Sequence, residues 1–254
     1  MSVQYEEFAP SLRFAAHIEC FWSHHADEPV PAFRVLPDGC SDIIFEHSAG
    51  RNGGLTIVGT MTRASVFHLP AQQRTFGVRF HPGMGARFLR ARGREIVDQS
   101  IPLNEAWHSL RIRQLLERLE AASSPDQCIR QIELALGEPP ELDAVERALA
   151  WLVENRGQVP VEELADAASL SPRQFRRICL DRAGLSPKRL ARVLRFRHAL
   201  RHTRGQRKRD WADVALECGY YDQAHFINDF REFSGVAPGA FVPQPSEISS
   251  PVAG

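Results

Sequence analysis

At 254 residues the chain is long enough for two separately cored domains. With 43% hydrophobic and 24% charged residues, its composition is that of an ordinary globular protein, and no apolar run approaches the roughly 18 residues of a membrane span. A formal net charge of zero argues against nucleic acid only as a total. Residues 1–140 hold 14 Lys/Arg and 16 acids, whereas residues 170–210 hold 14 Lys/Arg and only Asp181 and Asp210 as acids.

In chain order, the start Met-Ser-Val-Gln-Tyr-Glu-Glu shows no basic segment leading into an apolar stretch, so no signal peptide is expected. Short apolar runs between turn residues predict strands over His17–Trp22, Phe33–Leu36, Ser41–Glu46, Leu55–Gly59, Ala64–Leu69 and Thr75–His81. The breaks are Asp27-Glu-Pro, Pro37-Asp-Gly39 and Arg51-Asn-Gly-Gly54. This spacing predicts a small β-barrel or sandwich. Helical periodicity follows over Pro102–Ala122 and Asp126–Leu136. Gly137-Glu-Pro-Pro140 reads as a linker, because two prolines stop a helix and stiffen a joint. Beyond it every segment reads helical: Leu142–Asn155, Val161–Ala168, a helix from Ser186-Pro187 to about Arg204, and Trp211–Cys218. The expected fold is therefore α+β, with a β-rich domain over 1–137 and an all-α domain over 141–245.

Two segments of the helical half carry a reading chemistry. Ser171-Pro172 opens a helix over 171–182 that closes at Gly184, and Asp222 opens another over 222–232 that closes at Gly235. A Ser or Asp side chain accepts a free backbone N–H at a helix start, Pro fits the first helical position, and Gly takes the left-handed conformation at the end. In the first helix Phe175, Ile178 and Cys179 fall on one face; Arg173, Arg176 and Arg177 fall on the other, where Arg can pair bidentately with guanine. In the second, Gln223 and Asn228 suit adenine edges and Arg231 suits phosphate, while His225 reads as either a base contact or a packing residue. Lys188, Arg189, Arg192, Arg195 and Arg197 line the intervening helix, followed by Arg207-Lys-Arg209. Arg195 reads as an internal partner, and Arg192 and Arg197 as solvated.

The stretch Leu164-Ala-Asp-Ala-Ala-Ser-Leu-Ser-Pro-Arg-Gln-Phe-Arg-Arg177, with Ala215-Leu-Glu-Cys-Gly-Tyr-Tyr-Asp-Gln-Ala-His-Phe-Ile-Asn-Asp-Phe-Arg231 and Gly235-Val-Ala-Pro238, resembles the DNA-binding domain of AraC/XylS-type transcriptional regulators. The resemblance implies two helix-turn-helix units joined by a linker helix, reading consecutive major-groove segments. It places Arg173, Gln174, Arg176, Arg177, Gln223, His225 and Asn228 at bases and Ser171, Lys188, Arg189 and Arg231 at phosphates. This sequence departs from the family pattern at Ile227 and Asp229, where members are usually more polar or basic, and at Val242, where an Arg is customary. Phe21-Trp22, Leu36-Pro-Asp-Gly-Cys-Ser-Asp-Ile-Ile-Phe45, Val58-Gly59 and Gly77-Val-Arg-Phe-His-Pro-Gly83 resemble an uncharacterised sensor-like domain of some such regulators.

Three readings remain for the N-terminal half. Arg79 lies opposite Val78 and Phe80 on an alternating strand, so it is either a structural ion pair, with Asp38, Asp42 or Glu46 as partner, or, with Asp38, the anchor of a small effector. Cys40 in Pro37-Asp-Gly-Cys-Ser-Asp42 is either a small residue after a turn or the nucleophile of an alkyl-transfer or small-molecule-modifying enzyme, which needs an exposed, stabilised thiolate. The scattered cysteines Cys20, Cys40, Cys128, Cys179 and Cys218 contain no CxxC, and His17, His24, His25, His47, His68 and His81 form no ligand motif, so no metal or cofactor is expected. The leucine face of Leu103–Leu119 is expected to pair two chains, giving a homodimer through residues 103–136. The combined expectation is a cytoplasmic, non-enzymatic, sequence-specific regulator of transcription that binds double-stranded DNA and a small effector.

Overall fold

The computed structural model describes residues 3–47, 53–202 and 210–243. The Arg51-Asn52 part of one expected turn and the basic run Arg207–Arg209 lie outside the described residues. Strands β1 (Val3–Phe8), β2 (Ile18–Ala26), β4 (Ser41–His47), β5 (Gly54–Val58), β7 (Gln73–Phe80) and β8 (Ser100–Pro102) form one antiparallel sheet in the order β1-β2-β7-β4-β5-β8. Strands β3 (Val30–Val35) and β6 (Ser65–Leu69) pair separately. All six expected strands are present within a few residues. The short edge strands β1 and β8 were not anticipated.

The expected α+β architecture is present, and of the two expected forms of its β-rich half, barrel or sandwich, the closed barrel is not formed. β1 and β8 end the large sheet without pairing to each other, and a closed barrel would require that pairing. Helices cover the apolar face in place of a second wall. Phe21, Val78, Ile43 and Ile57 stand in cross-strand register on β2, β7, β4 and β5, all essentially buried. Against them pack α1 (Gly85–Leu89), α2 (Ser109–Glu120) and α3 (Pro125–Leu136), through Phe88, Leu89, Ile112, Leu115, Leu119 and Ile132. The leucine face expected to join two chains is therefore covered within one chain. Of the large apolar side chains on α2 and α3, only Leu110 and Leu134 stay exposed.

Beyond Pro139-Pro140 come α4 (Ala144–Glu154), α5 (Val161–Ala167), α6 (Pro172–Ala183), α7 (Pro187–His202), α8 (Trp211–Glu217) and α9 (Gln223–Ser234). Their core holds Leu149, Leu152, Leu164, Phe175, Phe196, Phe226, Phe230 and Phe233, all fully buried, and also takes Leu36 and Met84 from the N-terminal half. The halves are thus joined by side chains as well as by the linker. Asp143 and Glu146, the reciprocal cap of α4, receive both Arg87 of α1 and Arg182 of α6. Glu19 of β2 pairs with Arg197 of α7 at 2.5 Å, and Arg94 pairs with Asp181 at 3.1 Å. Gly93 lies against the end of α6 so closely that a Cβ there would sit 2.5 Å from the Gly184 nitrogen.

Candidate nucleic-acid interface

The first candidate reading helix, α6, is built as its sequence punctuation predicts. Ser171 and Gln174 form a reciprocal capping box, Pro172 takes the first turn, and Gly184 ends the helix at φ 75°. Phe175, Cys179 and Ala183 are buried, which fixes the rotation of the helix about its axis. That rotation leaves Arg173, Arg176 and Arg177 exposed, and no hydrogen bond or ion pair within the described protein engages them. Three guanidinium groups without acidic partners are held on one solvent face. Gln174 sits beside them, but its side-chain oxygen accepts from the Ser171 N–H and hydroxyl, so its acceptor serves the cap.

The second helix, α9, repeats this arrangement. Asp222 Oδ1 accepts from the His225 N–H at 2.7 Å, and Gly235 closes the helix at φ 81°. Phe226, Phe230 and Phe233 anchor it, while Gln223, Asn228 and Arg231 are exposed. His225 is half-buried, edge-on to the Tyr220 ring, with Nε2 3.9 Å from the Asp229 carboxylate. This geometry matches the packing alternative more closely than the base contact. Asp229, an acid on a helix meant to approach phosphates, is buried and receives Arg192 at 2.7 Å. Its charge is neutralised inside the protein, and Ile227 packs partly against the same core.

Helix α7 divides the basic cluster. Of its 16 residues, about 24 Å in length, Lys188 is exposed without a partner among the described residues. Arg189, expected at a phosphate, instead donates to the Thr62 carbonyl at 3.0 Å and pairs with Glu232. Arg192 holds Asp229 and Glu232, and Arg195 donates to the Gly157 carbonyl at 2.9 Å. Arg197 is paired with Glu19 rather than solvated. Burial alone would raise the Glu19 carboxyl, but Arg197, with Arg79 behind it, outweighs that and holds it at about 2. Among the described residues, much of the positive run therefore joins elements together, while Arg173, Arg176 and Arg177 of α6, Lys188 and, on α9, Arg231 stay exposed and unpaired.

The helical half of the chain is similar to known proteins. Residues 164–244 match the family described as "Helix-turn-helix domain". The C-terminal half of the chain carries an AraC-type helix-turn-helix domain. The HTH-type transcriptional activator RhaS of Enterobacter sp. (strain 638) is 38% identical over 91 residues, covering 34% of this chain and 31% of RhaS. RhaS of Citrobacter koseri is 37% identical over 87 residues, so the chain spans about a third of the length of these curated relatives. The DNA-binding domain of the global transcriptional factor AdpA, solved with a target DNA, is 28% identical, with 39% of this chain and 89% of that domain covered at a TM-score of 0.36. Residues 6–102 match a "Domain of unknown function (DUF6597)".

The N-terminal candidates sit behind the helix-turn-helix domain. Arg79 is half-buried within reach of three carboxylates, Asp38 at 3.2 Å, Asp42 at 3.6 Å and Glu7 at 3.7 Å. Three acids around one guanidinium balance its charge internally, which matches the structural ion pair and leaves no net positive charge to anchor an anionic effector. Asp38 is committed as well. Its Oδ1 accepts from the Cys40 N–H at 2.9 Å in a turn where Gly39 has φ +86°, and that turn docks against Leu190 of α7. Cys40 is buried, with its thiol facing Glu19 at 3.5 Å. Burial, with Asp38 and Glu19 adding, pushes this thiol well above its ordinary range, the opposite of what a nucleophile requires.

Sequence reading missed one side-chain cluster. Four residues apart on α7, His198 and His202 meet Cys218 with donor atoms within 4.8 Å of one another. Arg156 donates to His198 Nε2 at 3.1 Å, and burial, with Arg156 and His202, lowers His198 to about 4. A guanidinium already occupying one donor position makes the cluster a poor cation site. Among the described residues, no helix is long and apolar enough to cross a membrane.

Proposed function

We propose that this protein is a sequence-specific DNA-binding transcription regulator, working in the cytoplasm and without catalytic activity. The observation that carries this reading is the division of α6 into a fully buried face and a face of three unpaired guanidinium groups, Arg173, Arg176 and Arg177. Those residues would read base edges in one major groove, and Gln223 and Asn228 would read the next. Lys188, Arg231 and the capped N-terminus of α6 at Ser171 would hold phosphates and set the register. Arg189 is omitted because Thr62 and Glu232 already engage it.

The helix-turn-helix domain is assigned to 141–245 and a regulatory domain to 1–137. The regulatory part reaches both reading helices from behind. It meets α6 through Gly93 and Arg94, shares the Asp143–Glu146 cap of α4 with Arg182 of α6 through Arg87, and meets α9 through the Ala64 N–H on the Phe233 carbonyl. A small effector that favours one arrangement of these contacts would alter DNA affinity, and only to the extent of its differential binding. Pairing of two chains through 103–136 has only Leu110 and Leu134 left as large apolar contacts.

Selection of bound duplexes from a random pool tests the proposal. The expected product is two short recognition blocks centred about 10 base pairs apart, with affinity falling steeply as salt rises. Recovery of sequences without a shared motif would reduce the domain to a non-specific phosphate binder.

A further inference from the structure

The sheet carries a second feature that neither the expected Arg79 anchor nor the DNA-binding face explains. Along β2, β7 and β4, the buried row Phe21–Val78–Ile43 is followed by Ser23–Phe76–Phe45 and then by His25–Arg74–His47, each in cross-strand register. Strand side chains two apart share a face, so all three rows look toward α2 and α3. Near the α2–α3 connection at Ala122–Pro125, residues of the last two rows border an opening between sheet and helices. The result is a cavity of about 280 Å³ floored by Phe45, Phe76 and Leu119, with Cys128 in its wall. Arg74 and Glu120 both line it.

These two charges do not pair with each other. Arg74 is exposed and makes no hydrogen bond or ion pair with the described protein. Glu120 accepts the Gly53 N–H with Oε1, at 3.1 Å, leaving Oε2 uncommitted. His25 faces Asp27 and the Gln73 carbonyl, so it is occupied within the protein. A guanidinium and a carboxylate facing one small cavity without meeting complement a ligand that carries both charges. The apolar floor complements a hydrocarbon side chain, and the volume falls just under the range of about 300–1,000 Å³ for drug-sized ligand clefts, which suits a smaller molecule.

We propose that this cavity is the effector site and that it binds a free amino acid with an apolar side chain, its carboxylate on Arg74 and its ammonium on Glu120. As an effector site it rests on the regulator reading above; as a binding site it does not. The cavity reaches the start of α3 at Ser124 and Pro125. Helix α3 runs to Gly137 and the linker, and the Asp143–Glu146 cap of α4 beyond it holds Arg182 of α6. A ligand that moves the start of α3 therefore acts on a short series of packed elements ending at the first reading helix.

Cys128 supplies the test, since it lines the cavity and the other four cysteines are buried. Full-length protein is treated with iodoacetamide, and alkylation at Cys128 is followed by peptide mass spectrometry with L-phenylalanine or L-leucine present. At ten times its dissociation constant the amino acid should slow labelling about tenfold. Phenylacetate, which lacks the ammonium, and L-phenylalaninamide, which lacks the carboxylate, should each require at least about tenfold higher concentration. Arg74→Gln and Glu120→Gln, each compared with its own unliganded labelling rate, should weaken protection by a similar factor. Absence of protection at millimolar amino acid, equal protection by phenylacetate, or full protection in Arg74→Gln would overturn the proposal. Duplex binding by the same preparation without amino acid is read separately: its loss defeats the regulator reading and leaves the cavity result standing.

Discussion

Glu19→Gln tests the joint between the two halves. The Glu19–Arg197 pair links β2 to α7, with side chains only 19% and 12% exposed, so solvent screens it little. The ordinary glutamate value of 4.5 falls to about 2 in the folded protein. At 1.36 kcal/mol per unit, that difference corresponds to about 3 kcal/mol of stability at neutral pH. An independent argument agrees, since removing one partner of a buried pair typically costs about 3–5 kcal/mol by stranding the other charge. The folded value is depressed, so the contribution is complete above the unfolded value near 4.5. It declines as pH falls toward 2, with about half gone by pH 3. Denaturant unfolding of the wild type and Glu19→Gln across this range should show a difference near 3 kcal/mol that is flat down to about pH 4.5 and then shrinks. A difference under about 1 kcal/mol at neutral pH would refute the electrostatic reasoning. One that persists undiminished at pH 3 would assign the effect to packing.

Arg173→Ala or Arg177→Ala should cost about 1–3 kcal/mol of DNA affinity and relax preference at particular bases, whereas Lys188→Ala should weaken all duplexes alike and lower the salt slope by about one. An unchanged selected motif in the Arg variants would demote them to phosphate contacts. Gly93→Ala, whose Cβ would meet the Gly184 backbone at 2.5 Å, should lower the melting temperature and speed proteolysis between the halves; wild-type values in both assays would contradict the close approach. Cys40, buried and raised by burial and Asp38, should be alkylated far more slowly than Cys128, and preferential labelling of Cys40 would revive the enzyme reading.

Periodicity and caps made most elements legible because they act within a turn or two of helix. Ser171, Gln174 and Gly184 delimit α6, and Asp222 and Gly235 delimit α9, where the punctuation placed them. What escaped were short elements without such signals: the edge strands β1 and β8, and the five-residue α1 following Pro82-Gly83.

The local pattern of the chain determined that α6 and α9 are capped amphipathic helices with polar side chains outward, since backbone geometry and neighbouring residues suffice for that. Only the tertiary structure decided which charges remain available. Arg197 finds Glu19 178 residues away, and Arg189 finds Thr62 127 residues away. No spacing within a helix encodes a partner on a distant strand. The same long-range packing closed the leucine face of α2 against its own sheet, surrounded Arg79 with carboxylates, and left Arg74 at the mouth of a cavity. A long cationic side chain reads alike in sequence whether it faces an acid, a carbonyl or water, because its role is set by what the fold brings within a few ångströms of its end.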